Sequence, residues 1–83
     1  MTTREQQCVK AILQALHEAD GGQRAAITLH TEANLICPQT RTEFDRALAL
    51  ADGRRWVTGV KARHGSGFLY NLNDAGEAAL LEL

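Results

Sequence analysis

A lone proline sets the first constraint on this chain. Pro38 follows Cys37, and the residue before a proline is pushed out of the helical region, so a helix running up to Ile36 stops there. Two residues beyond the proline, Thr40 and Glu43 stand at capping-box spacing. The threonine hydroxyl satisfies an orphan backbone N–H, and the glutamate reaches back to the cap. One helix therefore ends and another begins across the tight Cys37–Gln39 turn. In the second helix Phe44, Ala47, Leu48 and Ala51 fall within about 100° of arc and form the face to be buried. Thr42, Arg46 and Ala49 lie opposite, flanked by Glu43 and Asp45, and Asp52-Gly53 closes the helix.

The rest of the chain is read outward from this pair. Residues 2–19 form a helix, with Thr2 and Glu5 at capping-box spacing, or Thr3 and Gln6 as a second option. Val9, Ile12, Leu13 and Leu16 are its apolar stripe, and Asp20-Gly21-Gly22 ends it. Ala25 to Thr28 forms a brief extended segment. Thr28 then caps the helix Leu29 to Ile36, which buries Leu29, Ala33 and Ile36. Trp56 to Lys61 reads as a strand, 62–67 as a glycine-bearing turn, and Phe68 to Leu72 as the returning strand of a hairpin. Asn73 caps a last helix, Asp74 to Leu83. Gly76 weakens its first turn, and Ala78, Leu81 and Leu80 offer it a face to bury. The expected fold class is α+β, mainly α, in a single domain over residues 1–83.

Charge distribution narrows the function. The 83 residues carry a net charge of −1, too little for a global cationic field. From Pro38 to Gly67, however, Arg41, Arg46, Arg54, Arg55, Lys61 and Arg63 outweigh Glu43, Asp45 and Asp52 for a net +3, against −4 elsewhere. Such a chain can present one attractive face to a polyanion. The aromatics Phe44, Trp56, Phe68 and Tyr70 all lie in the second half, so that half is expected to anchor the core. Trp56 and Tyr70 are read as core anchors rather than as a stacking platform for single strands. Cys8 and Cys37 are too few for a disulfide framework and read as buried thiols. His17, His30 and His64 show no metal-ligand spacing, so no metal and no cofactor is expected. No nucleophile–base–orienter set and no glycine-rich phosphate loop is evident, so the chain does not read as an enzyme. No apolar run approaches the ~20 residues that span a bilayer, and the first residues lack a signal-peptide layout. A soluble cytoplasmic protein with no membrane partner is the expectation.

The order helix, short strand, helix, tight turn, helix, hairpin, helix resembles that of the winged helix-turn-helix family over nearly the whole chain. Leu29 to Ile36, Cys37-Pro38-Gln39 and Thr40 to Ala51 look like its two crossed helices and their turn. Phe44, Leu48, Ala51 and then Trp56-Val57 look like its recognition-helix core running into the first wing strand. Tyr70-Asn71-Leu72-Asn73-Asp74-Ala75-Gly76 looks like the junction of the second wing strand with the closing helix. The chain departs from the pattern at Arg55, where many members carry glycine, and at Ala51, where a larger apolar residue is commoner.

The resemblance implies a three-helix core with a β-hairpin wing and a C-terminal helix. It also implies a mode of action on double-stranded DNA. Gln39, Thr40, Arg41, Thr42, Asp45 and Arg46 would face the major groove. Lys61, Arg63 and His64 would be wing contacts. Arg54 and Arg55, between helix and strand, either grip phosphate or are simply exposed on a loop. Arginine can pair bidentately with guanine, Gln and Thr are smaller readers, and a carboxylate such as Asp45 can accept from cytosine. Lys61 and Arg63 would neutralise phosphates and release counterions. The bland reading is that Arg46, Glu43 and Asp45 merely solvate the helix. Two functions follow: a sequence-specific DNA-binding transcriptional regulator, or a winged-helix protein-interaction module within a larger assembly. A single small domain offers limited contact area, so a homodimer on a two-fold site is expected, with Leu35, Leu50 and Leu80 as the spare apolar surface.

Overall fold

A computed structural model describes residues 1–65 and 67–83; Ser66, in the expected hairpin turn, lies outside the described residues. The described residues form a small, mainly helical α+β domain with four helices and a three-stranded antiparallel sheet. The elements run α1 (Thr3–His17), a 3-10 turn (Asp20–Gly22), β1 (Gln23–Ala25), α2 (Ala26–Ile36), α3 (Arg41–Gly53), β2 (Val57–Lys61), β3 (Phe68–Leu72) and α4 (Asp74–Glu82). The sheet order is β1-β3-β2, so the hairpin's second strand is central. Gln23 pairs with Asn71 and Ala25 with Leu69 on one side; Val57 pairs with Leu72 and Lys61 with Phe68 on the other.

The core is organised around α1. Seven of the fifteen buried apolar residues belong to it, including Val9, Ile12, Leu13 and Leu16, which form the anticipated stripe. α2 and α3 pack on this stripe through Leu29 and Ala33 and through Phe44, Ala47, Leu48 and Ala51. The expectation that the aromatic second half anchors the core is thus corrected. Phe44 is fully buried, but Trp56 and Tyr70 are only half-buried and Phe68 is 53% exposed. The aliphatic stripe of the fifteen-residue α1 is covered by both α2 and α3, whereas Trp56, Phe68 and Tyr70 stand on or beside the hairpin.

The β1–α2 junction lies earlier than the sequence suggests. Pairing of Ala25 with Leu69 ends the strand there, and Ala26 begins the helix. Ala25, with extended backbone and no side-chain cap, takes the N-cap position, and Thr28 lies inside α2. Arg24 secures the junction instead: it bonds Glu32 at 2.8 Å and the carbonyls of Asp20 and Gln23 at 2.8 and 2.7 Å. The buried stripe of α2 continues from Ala33 to Cys37, one turn on, so Ile36 is left 47% exposed.

α3 closes at Asp52-Gly53, as the sequence suggests. Gly53 is helical, and the cap is a Schellman motif: Trp56 N–H donates to Ala51 O at 2.9 Å and Arg55 N–H to Asp52 O at 3.0 Å. The left-handed position of that motif falls on Arg55, with φ +61°. This is the position noted above as a departure from the glycine of the winged helix-turn-helix pattern. The first turn of α4 locks the same junction. Asn73 accepts from Gly76 N–H at 2.9 Å, donates through Nδ2 to Arg55 O at 2.5 Å, and donates through its backbone to Trp56 O at 3.2 Å. Gly76 is buried, and a Cβ there would stand 2.0 Å from Trp56 O. It is therefore a packing requirement rather than a weakness. α4 buries Gly76 and Ala79, with Leu80 and Leu83 partly covered, while Ala78 and Leu81 face outward. Of the leucines expected to be spare, Leu50 and Leu80 lean on the core and only Leu35 is free, at 84% exposed.

Candidate nucleic-acid interface

The α2–α3 turn is built by side chains of α2. Asn34 Oδ1 accepts from Gln39 N–H at 2.7 Å, and His30, stacked on Phe44 with centroids 4.7 Å apart, donates Nε2–H to Gln39 O at 3.1 Å. Gln39 itself turns inward. It is 6% exposed and donates Nε2–H to Cys37 O at 3.2 Å. This corrects its assignment as a DNA-facing reader: its side chain is spent on closing the turn.

The other expected residues of α3 remain on the surface, but their charges are not free. Thr40 and Glu43 form the capping box, with Glu43 N–H to Thr40 Oγ1 at 3.1 Å and Thr40 N–H to Glu43 Oε1 at 2.9 Å. Arg4, from the first turn of α1, reaches the same carboxylate at 2.8 and 3.1 Å and also bonds Pro38 O at 2.5 Å. The Arg4 guanidinium and the Thr40 N–H hold the Glu43 carboxyl down at about 2, and the pairing raises Arg4 above its ordinary value. Glu43 is therefore a structural anion rather than one that repels a ligand. Arg41 pairs with Asp45 one turn on at 2.9 Å. Arg46 lies 3.8 Å from Glu5, at the edge of ion-pair range, with its side chain 69% exposed. The Thr2 N–H, ahead of Arg46, holds the Glu5 carboxyl below its ordinary value. Thr42 is exposed beside them, on the rim of a cleft of about 240 Å³ shared with Arg4, Cys8 and Arg46.

A second group of cations stands on the loop after α3 and on the hairpin. Arg54 lies over the Trp56 ring, 5.4 Å from its centroid. Arg55, Lys61, Arg63 and His64 are exposed. Among the described residues, no carboxylate lies within 4.0 Å of Arg54, Arg55, Lys61 or Arg63. With about 3.3 Å of rise per strand residue, β2 from Val57 to Lys61 separates the loop cations from Lys61 by roughly 13 Å of strand. Gly65 and Gly67, at φ +82° and +101°, supply the left-handed backbone that turns the hairpin.

The expected site residues thus fall into two sets: Thr40, Arg41, Thr42, Asp45 and Arg46 on α3, and Arg54, Arg55, Lys61, Arg63 and His64 on the loop and hairpin. Sequence reasoning missed Arg4 and Glu5, which set the charge of α3 from another helix. No spacing links residue 4 to residue 43. It also missed that Val60 and Phe68 flank the hairpin cations as exposed apolar side chains, 47% and 53% accessible. Strict alternation could have placed Phe68, since Lys61 is its cross-strand partner.

Among the described residues, no helix is long and apolar enough to cross a membrane, and no group of three His, Cys, Asp or Glu side chains is placed to hold a metal ion. Neither a protein-family model nor a curated protein matches the chain.

Proposed function

We propose that the chain is a winged helix-turn-helix domain that binds double-stranded DNA and acts in the cytoplasm as a small transcriptional regulator. Its α2–turn–α3 pair corresponds to the helix-turn-helix and its β2–β3 hairpin to the wing. In this reading Thr40, Arg41, Thr42, Asp45 and Arg46 turn toward the major groove. Arg54, Arg55, Lys61, Arg63 and His64 lie along the backbone. The observation that carries the reading is the second set. Among the described residues, four cations stand exposed with no carboxylate within 4.0 Å along one loop and hairpin of a protein whose net charge is negative. Counterion release from such a row supplies affinity for a polyanion. The α3 set supplies selectivity instead: the Arg41–Asp45 pair presents a donor and an acceptor side by side, suited to guanine and cytosine edges. A homodimer on a two-fold site fits the small contact area of one domain, and Leu35 and Leu81, 84% and 89% exposed, are the apolar residues it would cover.

Selection from a random pool of double-stranded DNA at two salt concentrations tests the proposal, using the wild type and an Arg46→Ala, Arg63→Ala double variant. Enrichment of a motif is expected, with affinity falling steeply in salt; about four neutralised phosphates give a slope of log affinity on log salt near −3 to −4. The double variant should lose the motif and roughly one to two units of slope. A folded wild type that binds nothing at low salt overturns the reading. It would favour a protein-interaction module using the exposed apolar side chains of the hairpin, Val60 on one face and Phe68 on the other.

A further inference from the structure

Cys8 on α1 and Cys37 at the C-cap of α2 lie on either side of Arg4 in the chain's packing: Cys37 bonds its guanidinium, and Cys8 follows it by one helical turn. Arg4 Nη1 donates to Cys37 Sγ at 3.3 Å. Arg4 also precedes Cys8 by one helical turn, so both side chains leave α1 on the same face, and both line the cleft beside α3. α1 and α2 pack directly on each other, and Cys37 lies against the buried cluster that contains Cys8. Their surroundings differ. Cys8 is 1% exposed and burial pushes its thiol up, whereas Cys37, at the C-cap of α2, is partly open to solvent. Both thiols are free.

We propose that Cys8 and Cys37 form a peroxide-oxidisable dithiol, with Cys37 the attacking sulfur and Cys8 the resolving one. In the first step the Cys37 thiolate attacks one oxygen of hydrogen peroxide. An S–O bond forms, the O–O bond breaks, and the departing hydroxide takes up a proton as water. Cys37 becomes a sulfenic acid. Arg4 is placed to hold the negative charge on that sulfur during the attack. In the second step Cys8 attacks Cys37 Sγ. The S–S bond forms, the S–O bond breaks, and hydroxide leaves with the Cys8 proton as a second water. Two thiols and one peroxide yield one disulfide and two waters. The bridge ties α1 to the Cys37–Pro38 turn and removes the sulfur that Arg4 grips. Arg4 also holds Pro38 O and Glu43, so the start of α3 is loosened. The consequence for DNA rests on the function proposed above; the dithiol does not.

Folded wild type, Cys8→Ser and Cys37→Ser are treated with a small excess of hydrogen peroxide and followed by intact mass. Wild type should lose the mass of two hydrogens as an intramolecular bridge. Cys8→Ser should accumulate a sulfenic acid at residue 37 that dimedone traps, and Cys37→Ser should take up no oxygen while folded. Arg4→Met keeps both thiols and should react roughly tenfold more slowly. A wild type that stops at oxidised single thiols, that bridges only between molecules, or whose Cys8 reacts first overturns the proposal. Oxidised wild type should bind the selected DNA roughly tenfold more weakly, a usual size for coupling between two sites, and dithiothreitol should restore it. Unchanged affinity of the bridged protein overturns the switch. Failure of the reduced protein to bind DNA sinks the DNA reading and leaves the dithiol, which mass alone establishes, standing.

Discussion

Gly76 stands in the first turn of a helix, where alanine is intrinsically better by about 1 kcal/mol. The backbone opposite decides otherwise. A methyl group there would sit 2.0 Å from Trp56 O and 2.5 Å from a Leu72 methyl, far inside the ~3.5–4 Å of ordinary carbon contact. Trp56 O cannot retreat, because Asn73 N–H binds it. Gly76→Ala is expected to destabilise the domain by about 3 kcal/mol, at the top of the overpacking range, read as a lowered urea midpoint. Arg55 poses the opposite case. Its left-handed backbone costs an L-residue about 1–2 kcal/mol, part of which glycine would return in unfolded-state entropy. Arg55→Gly should therefore raise stability by about 0.5–1 kcal/mol. It should also reduce the salt slope of DNA binding by about one. A variant that gains stability with no loss of binding would show that the arginine contributes nothing to the interface.

The elements differ in how much of them was legible beforehand. α3 was legible because its signals are local and agree. Thr40 and Glu43 cap it, and Phe44, Ala47, Leu48 and Ala51 form its buried face as expected. β3 likewise runs over the expected Phe68–Leu72. The misreadings lie where a distant partner overrides a local preference. Thr28 is a good cap, yet β3 sets where β1 ends and so where α2 begins. Gln39 reads as a surface polar residue, yet the turn consumes its side chain. Of the site, the surface positions could be read from sequence, but not which charges are spent, because Arg4 and Glu5 act from the far end of the chain. The α3 start carries a pH signature for the same reason. Glu43 titrates at about 2 in the folded protein, below the ordinary 4.5, so its charged form is favoured by folding. The stabilisation is complete above about 4.5 and is lost as pH falls toward 2. Thermal melts should show the midpoint dropping across that window, and Glu43→Gln should lower the midpoint at neutral pH while flattening the drop.

At the scale of the whole molecule the charge is arranged rather than abundant. Acidic residues of α1 and α3 are engaged by Arg4, Arg41 and Arg46, while the loop and hairpin cations stand apart, so a net-negative protein keeps one cationic edge. Sedimentation equilibrium should detect a dimer at micromolar concentration, and Leu35→Glu or Leu81→Glu should dissociate it. A wild-type monomer at high micromolar concentration would remove the two-fold mode of binding.

The sheet order has a consequence for how the protein is made. β3 is central, and it is the last of the three strands to be synthesised; its pairing joins Gln23 to Asn71. Until Leu72 has left the ribosome, β1 has no neighbour, β2 is an unpaired strand, and the loop that carries Arg55 lacks the Asn73 clamp. Helices α1 to α3 can gather earlier through contacts of shorter range. The closing sheet therefore acts as a completion step on the nascent chain. The cationic edge takes its final shape only once β3 and Asn73 have emerged to pair with it.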